Sequence, residues 1–148
     1  MIAIVDYGVG NLFSLKSSLA HLGLEAVVTA DPARLRAADR IILPGVGAFG
    51  DAMEKLTATG LVPVIKEEAR KKPLLGICLG MQLLFDKSFE YGEHPGLGLV
   101  PGQVVDLRRD LTDKTLKVPH MGWNALHFPG EQPRSPIFRA LEEGTHVY

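Results

Sequence analysis

The chain has few of the features that mark secreted, membrane or nucleic-acid-binding proteins. Its 148 residues include one cysteine, which excludes an intrachain disulfide and suits a reducing compartment. A formal net charge of −1 gives no electrostatic attraction to nucleic acid or to anionic membranes. No basic leader precedes the first strand-like run, and no apolar run reaches the ~18 residues of a membrane span. We therefore expect a cytoplasmic protein, and the spacing of its histidines and acidic residues predicts no metal site.

Short apolar runs alternate with segments of helical periodicity along the first half of the chain. The runs Ile2–Val5, Ala26–Val28, Arg40–Leu43 and Leu74–Ile77 are typical of strands that helices cover on both faces. Such alternation at short intervals produces βαβ units. The predicted fold class is therefore α/β, with a three-layer, mostly parallel sheet flanked by helices.

The pattern changes after Glu90, where glycine and proline mark a long loop. Val104–Leu107 and Trp123–Leu126 are then typical of shorter strands, and we expect antiparallel strands toward the C-terminus. Thr145–Tyr148 has the composition of the beginning of another strand. With hydrophobic and charged contents of 46% and 22%, the chain fits one globular domain over residues 1–148.

A short glycine-flanked segment joins the fourth predicted strand to the helix-like run Met81–Phe85. This segment, Gly76–Gly80, has the sequence GICLG, the thiol counterpart of the G-x-S-x-G nucleophile elbow. Its cysteine, Cys78, would stand at a helix N-terminus, whose dipole favours the thiolate. The amide of Leu79 would face an oxyanion formed on the target of the sulfur. A buried structural cysteine in a tight strand-to-helix turn is the alternative.

A glycine-rich loop follows the third predicted strand, at the same edge of the sheet as the cysteine. Gly45 and Gly47 flank Val46 and would allow this peptide to turn inward, which could supply the second amide of an oxyanion hole. An ordinary glycine-rich turn is the alternative. Asp51, with Glu54 three residues later, predicts that the next helix begins there with a capping box.

The loop after the first strand, Asp6–Gly10, invites a dinucleotide-binding interpretation because it contains the sequence GVG. That fingerprint needs a third glycine or alanine, and Phe13 occupies the position instead. A tight turn, followed by Asn11 as a helix N-cap, is the better interpretation. We therefore expect no cofactor.

Several polar side chains could accompany the cysteine. Gln82 lies one helical turn beyond Cys78, on the same helix face, and Glu90 could approach from the loop that follows, although solvated polar residues are the alternative for both. A cysteine nucleophile usually works with a histidine base, but none of the five histidines stands in a pattern that argues for such pairing.

The segment Pro119–Asn124 suits a partner-binding surface, or else a core edge with Trp123 buried.

Together these segments resemble class I glutamine amidotransferases of the triad type, and more narrowly the glutaminase subunits of imidazole glycerol phosphate synthases, from histidine biosynthesis. The resemblance covers the whole chain in order. The elbow is shared by many amidotransferases, whereas the Pro44 and Pro119 motifs indicate this subunit. The resemblance implies a class I glutamine amidotransferase-like, flavodoxin-like fold. The matching segments are Asp6–Asn11, Pro44–Phe49, Gly76–Gln82, Gly96–Leu99 and Pro119–Asn124.

The resemblance also implies a role for each matched residue near the elbow. Cys78 would attack the side-chain amide of glutamine, giving a γ-glutamyl thioester and ammonia. Gln82 and Glu90 match positions that bind the glutamine substrate. The oxyanion would be held, after a peptide rearrangement, by Gly45, Val46, Gly47 and Leu79.

The family works as a heterodimer, which implies a partner for this chain. That partner is a (β/α)₈-barrel cyclase subunit, which receives the ammonia and makes imidazole glycerol phosphate. Transfer without release to water is expected because protonated ammonia loses its nucleophilicity. The positions that match the partner-facing side are Asn11, Met121, Gly122, Trp123 and Asn124.

One part of the family pattern is not found in these residues. The family's histidine base and its carboxylate come from a His-Pro-Glu segment near the C-terminus, and the sequence reaches Tyr148 without one. We therefore expect the base in sequence beyond Tyr148; loss of the base is the alternative. We also expect little glutaminase activity from these residues alone, because an unassisted thiol is only a few per cent thiolate at neutral pH. Two alternatives stay open: another cysteine-elbow amidotransferase or hydrolase, and a non-catalytic subunit that binds a partner.

Overall fold

A computed structural model of the chain describes residues 1–130 and 133–148. The chain divides into two compact units, Met1–Asp106 and Leu107–Tyr148, which are described separately below. Of the helices in the described residues, none has the length and apolar character needed to cross a bilayer. The expectation of one domain over residues 1–148 stays a prediction.

The first unit contains a four-stranded parallel sheet with the strand order β2-β1-β3-β4. This is the order of a doubly wound, flavodoxin-like sheet, in which ligands bind at the carboxyl ends of the strands. All four strands lie where the buried apolar runs predicted them, and the predicted α/β fold class is confirmed. The strands are β1 (Ile2–Val5), β2 (Ala26–Thr29), β3 (Arg40–Leu43) and β4 (Leu74–Gly76).

The core of the first unit lies on both faces of this sheet. Successive side chains of a strand point to opposite faces, so β1 contributes Ala3 and Val5 to one apolar cluster and Ile2 and Ile4 to another. Helices cover each face and complete three layers. The helices of this unit are α1 (Leu12–His21), α2 (Pro32–Ala37), α3 (Phe49–Ala58), α4 (Val62–Glu68) and α5 (Leu79–Gln82).

A second, three-stranded sheet follows α5 and corrects two predictions. Its strands are β5 (Phe85–Ser88), β6 (His94–Pro95) and β7 (Val100–Val104); β5 pairs antiparallel with β6 and parallel with β7. The expected antiparallel strand over Val104–Leu107 is therefore wrong: the strand lies earlier in the chain and runs parallel to its neighbour.

The predicted helical run Met81–Phe85 is correct for Met81 and Gln82 and wrong beyond them, since α5 ends at Gln82. The carbonyl of Leu83 accepts the N–H of Leu97 at 2.8 Å, and that of Leu84 accepts the N–H of Leu99 at 2.8 Å. These carbonyls therefore bond to a distant segment rather than to the next helical turn. A short apolar run is compatible with a helix or with a strand, and its hydrogen-bond partners decide between the two.

The second unit has little regular structure. It contains a short helix, α6 (Leu107–Asp110), a 3₁₀ turn at Pro136–Phe138, and two short strands, β8 (Asn124–Ala125) and β9 (His146–Val147). The two strands pair antiparallel, which confirms the antiparallel strands expected toward the C-terminus. No described residue of this unit is buried.

Candidate active site

Cys78 lies at the turn between β4 and α5, in an unusual backbone conformation. Its φ is +53°, in the region that residues with side chains rarely adopt, and Gly76 and Gly80 stand on either side. A strained strand-to-helix turn of this kind raises the side chain above the sheet edge, as in a nucleophile elbow. The thiol is exposed, whereas the alternative of a structural cysteine required it to be buried.

The two glycines of the elbow allow its backbone to pack directly on neighbouring backbone. A Cβ built on Gly76 would stand 2.5 Å from the Cα of Met81, and one built on Gly80 would collide with the carbonyl oxygen of Leu43. The N–H of Ile77 donates to that same carbonyl at 3.0 Å. The elbow is thus fixed to the end of β3, and a side chain at either glycine position would separate the two.

The predicted oxyanion segment begins against the elbow. A Cβ on Gly45 would stand 2.5 Å from the backbone nitrogen of Gly80, so the two backbones are in contact. The next residues are open: Val46 is 55% exposed, and Gly47 has a φ of +91° with no atom within 4 Å of an added Cβ. The segment therefore has one fixed end, followed by peptides that have room to change orientation.

Tyr7, which the sequence analysis did not single out, contacts the fixed end of this segment. Its buried hydroxyl donates to the carbonyl oxygen of Pro44 at 2.7 Å, and burial raises the pKa of Tyr7 to about 12. A Cβ on Gly10 would stand 2.9 Å from the Cβ of Pro44, so the loop after β1 meets this proline at both Tyr7 and Gly10. The signal in the sequence was a hydroxyl-bearing aromatic residue two positions after the end of β1.

Glu90 lies at the other end of the segment, where α3 begins. Its Oε2 accepts the N–H of Phe49 at 2.8 Å, and its own N–H donates to the buried Ser88 Oγ at 3.1 Å. A carboxylate at a helix N-terminus is favourable because it faces unpaired N–H groups and the positive end of the dipole. The predicted capping box at Asp51 is wrong, since the helix starts two residues earlier with a carboxylate that comes from a distant loop.

A cavity of about 370 Å³ opens beside Glu90. Its lining comes from the start of α3 and from the loop that follows β5, and it includes Ala48, Glu54, Tyr91 and His94.

Gln82 ends the single turn of α5, where its N–H donates to the carbonyl of Cys78 at 3.2 Å. Gln82 is therefore one turn from the thiol, as its spacing predicted, and is half-buried.

The residues that match a partner-facing surface belong to both units. Asn11 is exposed in the first unit, and its side chain accepts the N–H of Ser14 at 3.1 Å, which confirms the predicted N-cap of α1. In the second unit Trp123 is 70% exposed, so its alternative placement in a core edge is wrong. Met121 is also exposed, and Asn124 Nδ2 donates to the carbonyl of Gly122 at 3.1 Å.

Comparison with known proteins identifies the family. Residues 3–145 match the family described as glutamine amidotransferase class-I. The chain belongs to the class-I glutamine amidotransferase family. This confirms the resemblance inferred from the elbow and its neighbouring loops.

Curated relatives indicate a narrower group within the family. They match nearly the whole chain, and they carry the same name. The protein "Imidazole glycerol phosphate synthase subunit HisH" of Sulfurimonas denitrificans is 52% identical over 149 residues, covering 100% of this chain and 70% of its own length. The protein of the same name from Aquifex aeolicus is 48% identical over 147 residues, covering 98% of this chain and 67% of its own length.

Solved structures support the fold alone. A chain titled "Crystal structure of glutamine amidotransferase" superposes with a TM-score of 0.61 at 22% identity, covering 77% of this chain and 60% of its own. A putative peptidase E protein from Listeria monocytogenes superposes with a TM-score of 0.56 at 20% identity, covering 67% of this chain and 62% of its own.

Proposed function

We propose that this protein is the glutaminase subunit of an imidazole glycerol phosphate synthase, which hydrolyses glutamine and passes ammonia to a cyclase subunit in histidine biosynthesis. The observation that carries the proposal is the exposed Cys78 on a strained turn, with the Gly45 backbone in contact with the elbow. The shared name of the relatives supports the choice of this subunit among amidotransferases. A free thiol suits the reducing cytoplasm.

In the proposed reaction, the Cys78 thiolate attacks the side-chain carbonyl carbon of glutamine. The new C–S bond forms a tetrahedral intermediate, whose oxygen accepts hydrogen bonds from the Leu79 amide and from the segment Gly45–Gly47 after its peptides rearrange. Breakage of the C–N bond releases ammonia, with the proton supplied by the base that took it from the thiol. Water then hydrolyses the thioester to glutamate and restores the thiol.

Glutamine binding is assigned to Gln82 and Glu90. The Oε2 of Glu90 accepts the N–H of Phe49, which leaves its other oxygen for the ammonium group of an amino acid. The Gln82 amide can both donate to a carboxylate and accept from an amide. Two such groups, one charged and one neutral, can select a free amino acid with an amide side chain.

The partner is assigned to a barrel cyclase, and residues of each unit are assigned to its contacts: Asn11 in the first unit and Met121–Asn124 in the second. An exposed tryptophan is a common anchor in protein interfaces, and Trp123 in the second unit is such a residue. A protected passage for ammonia follows from its chemistry, because ammonia that escapes into neutral water becomes ammonium.

The proposal is tested on the protein in complex with its cyclase subunit, supplied either with glutamine or with ammonium salt. Cys78→Ala should lower glutamine-dependent activity at least about 1000-fold, since the nucleophile is removed, and should leave ammonium-dependent activity unchanged. Thr57→Ala, at an exposed position of α3, is the control. Full glutamine-dependent activity of Cys78→Ala would establish the non-catalytic alternative instead.

A further inference from the structure

We infer that Tyr7 is a positioning residue for glutamine hydrolysis: its hydroxyl fixes the peptide between Pro44 and Gly45, from which the oxyanion segment starts, against the nucleophile elbow. The inference rests on the proposed function, because it assigns Tyr7 a part in forming the oxyanion hole. Tyr7 itself contacts neither substrate nor thiol in this scheme, and acts through the backbone of the segment.

A hydrogen bond from Tyr7 joins two loops that are distant in sequence. The Tyr7 hydroxyl, in the loop after β1, donates at 2.7 Å to the Pro44 carbonyl, in the loop after β3. Both residues are buried, so water does not compete for this carbonyl. Because burial raises the pKa of Tyr7 to about 12, the hydroxyl stays protonated, and therefore a donor, throughout the neutral range.

The geometry of the peptide group extends the effect of this hydrogen bond to the next residue. The carbonyl of Pro44 and the N–H of Gly45 belong to one planar unit, so a bond that orients the carbonyl also orients the N–H. The Gly45 Cα packs on the backbone of Leu79 and Gly80, and Gly80 packs in turn on the carbonyl of Leu43. A rotation of the Pro44–Gly45 peptide would therefore displace the elbow that carries the thiol.

The residues that follow Gly45 in the segment are much less constrained. Val46 is largely exposed, and Gly47 has open space where a side chain would stand. At the far end the segment is again fixed, because Glu90 accepts the N–H of Phe49. The rearrangement that the reaction needs is thereby confined to the peptides between two fixed ends, and Tyr7 fixes the end that contacts the elbow.

The test is Tyr7→Phe in the complete protein with its cyclase partner, assayed far below the melting temperature. This isosteric change removes one donor and leaves the packing of the ring intact. We expect glutaminase kcat to fall about 10- to 100-fold, up to the loss that a misplacement of about 1 Å can cause. The KM for glutamine should stay within about twofold and ammonium-dependent cyclase activity should be unchanged, because a positioning defect acts after substrate binding.

Two readouts separate positioning from mere stability. Ile65→Val removes one methylene from a fully buried side chain of α4 and serves as the stability-matched control. Alkylation of Cys78 by iodoacetamide, which forms no oxyanion, should keep its rate in Tyr7→Phe, whereas reaction with a glutamine-like ketone, which does form one, should slow with kcat.

Several outcomes would overturn the inference. A Tyr7→Phe enzyme whose kcat equals that of Ile65→Val would do so, as would a loss that appears in KM rather than in kcat, or an equal slowing of both thiol reagents. Cys78→Ala distinguishes this failure from failure of the proposed function. If Cys78→Ala is inactive with glutamine and Tyr7→Phe is normal, the inference alone is wrong.

Discussion

The two units of the chain differ in what determines their structure. Among the described residues, the whole apolar core lies in Met1–Asp106, with fully buried side chains on each face of the parallel sheet. In Leu107–Tyr148 no described residue is buried, and Met121, Trp123 and Ile137 are each at least 70% exposed. A segment of about 40 residues rarely buries enough apolar surface to fold by itself.

This difference matches a difference in the proposed work of the two units. The elbow and the start of the oxyanion segment need fixed geometry, and both follow strands of a sheet whose core fixes it. The second unit instead exposes apolar and aromatic side chains, and its antiparallel pair of strands is only two residues long on each side. Surfaces of this composition are typical of contacts with another macromolecule.

The difference between the two units predicts that the closely packed elbow tolerates substitution less than any other part of the molecule. In Gly80→Ala the new methyl group would collide with the Leu43 carbonyl, which cannot move without breaking the bond from Ile77. We expect the free energy of unfolding to fall by at least about 3 kcal/mol, at the upper end of overpacking effects. Gly130→Ala, in the second unit, has open space for the methyl group and should change it by less than about 0.5 kcal/mol. Equal effects in urea denaturation would contradict the comparison.

The strands and the elbow could be predicted because their determinants are local. A buried parallel strand needs a short apolar run, and Arg40–Leu43 shows such a run directly. The helix cap at Asn11 needs only a polar side chain three residues before the N–H that it accepts. Cys78 stood out because few turns other than an elbow place glycines two residues before and two residues after a cysteine. The assignment of roles to these side chains stays a prediction.

The predictions that failed concern residues whose hydrogen-bond partners lie far away in the sequence. The start of α3 is set by the Glu90 carboxylate, about 40 residues away, and nothing near Asp51 announces it. The end of α5 is determined by the N–H groups of Leu97 and Leu99, which donate to the carbonyls of Leu83 and Leu84. Tyr7 was missed for the same reason, since its acceptor is the carbonyl of Pro44 in another loop. Contacts of this kind become visible only in the folded chain.

Cavities in the core provide a second test of the difference between the units. Leu56→Ala truncates a fully buried side chain of α3 and should cost about 2–5 kcal/mol of unfolding free energy, through lost transfer and the cavity left behind. Ile137→Ala, at an exposed position of the second unit, should cost less than about 0.5 kcal/mol. The pair is compared by urea denaturation at pH 7. A loss above about 2 kcal/mol for Ile137→Ala would show that the second unit has a core of its own.

A third test uses the two exposed residues that we assign to the partner surface, one in each unit. Asn11→Ala removes the N-cap of α1 and should lower stability by about 1 kcal/mol, whereas Asn11→Asp keeps an acceptor for Ser14 and should restore it. Trp123→Ala should leave stability within about 0.5 kcal/mol, because the ring is largely exposed. In the complex, Trp123→Ala should uncouple glutamine hydrolysis from cyclase turnover. Normal transfer of ammonia in this variant would argue against the assigned surface.

The smallest expected effect concerns acid stability, for which we compare one carboxylate from each unit. The hydrogen bond from Lys72 lowers the pKa of Glu68 below its ordinary value of 4.5, with a further contribution from Lys71. A depressed folded-state pKa adds stability above the unfolded-state pKa, and this contribution disappears as pH falls through the folded-state value. Glu68→Gln should therefore be less stable than the parent at pH 7, and the difference should shrink steadily below about pH 4.5.

The effect should be modest because Lys72 keeps other acceptors when the carboxylate is lost. Its Nζ also donates to the carbonyls of Leu35, Arg36 and Ala38, at the end of α2. In the second unit, the N–H of Phe128 lowers the pKa of Glu143, with help from His127. Glu143→Gln should leave the main unfolding transition unchanged at pH 7 and at pH 3, because the core that unfolds there belongs to the first unit. A Glu143→Gln transition that moves with pH as that of Glu68→Gln does would mean that the two units unfold as one, and the contrast between them would then be one of exposure alone.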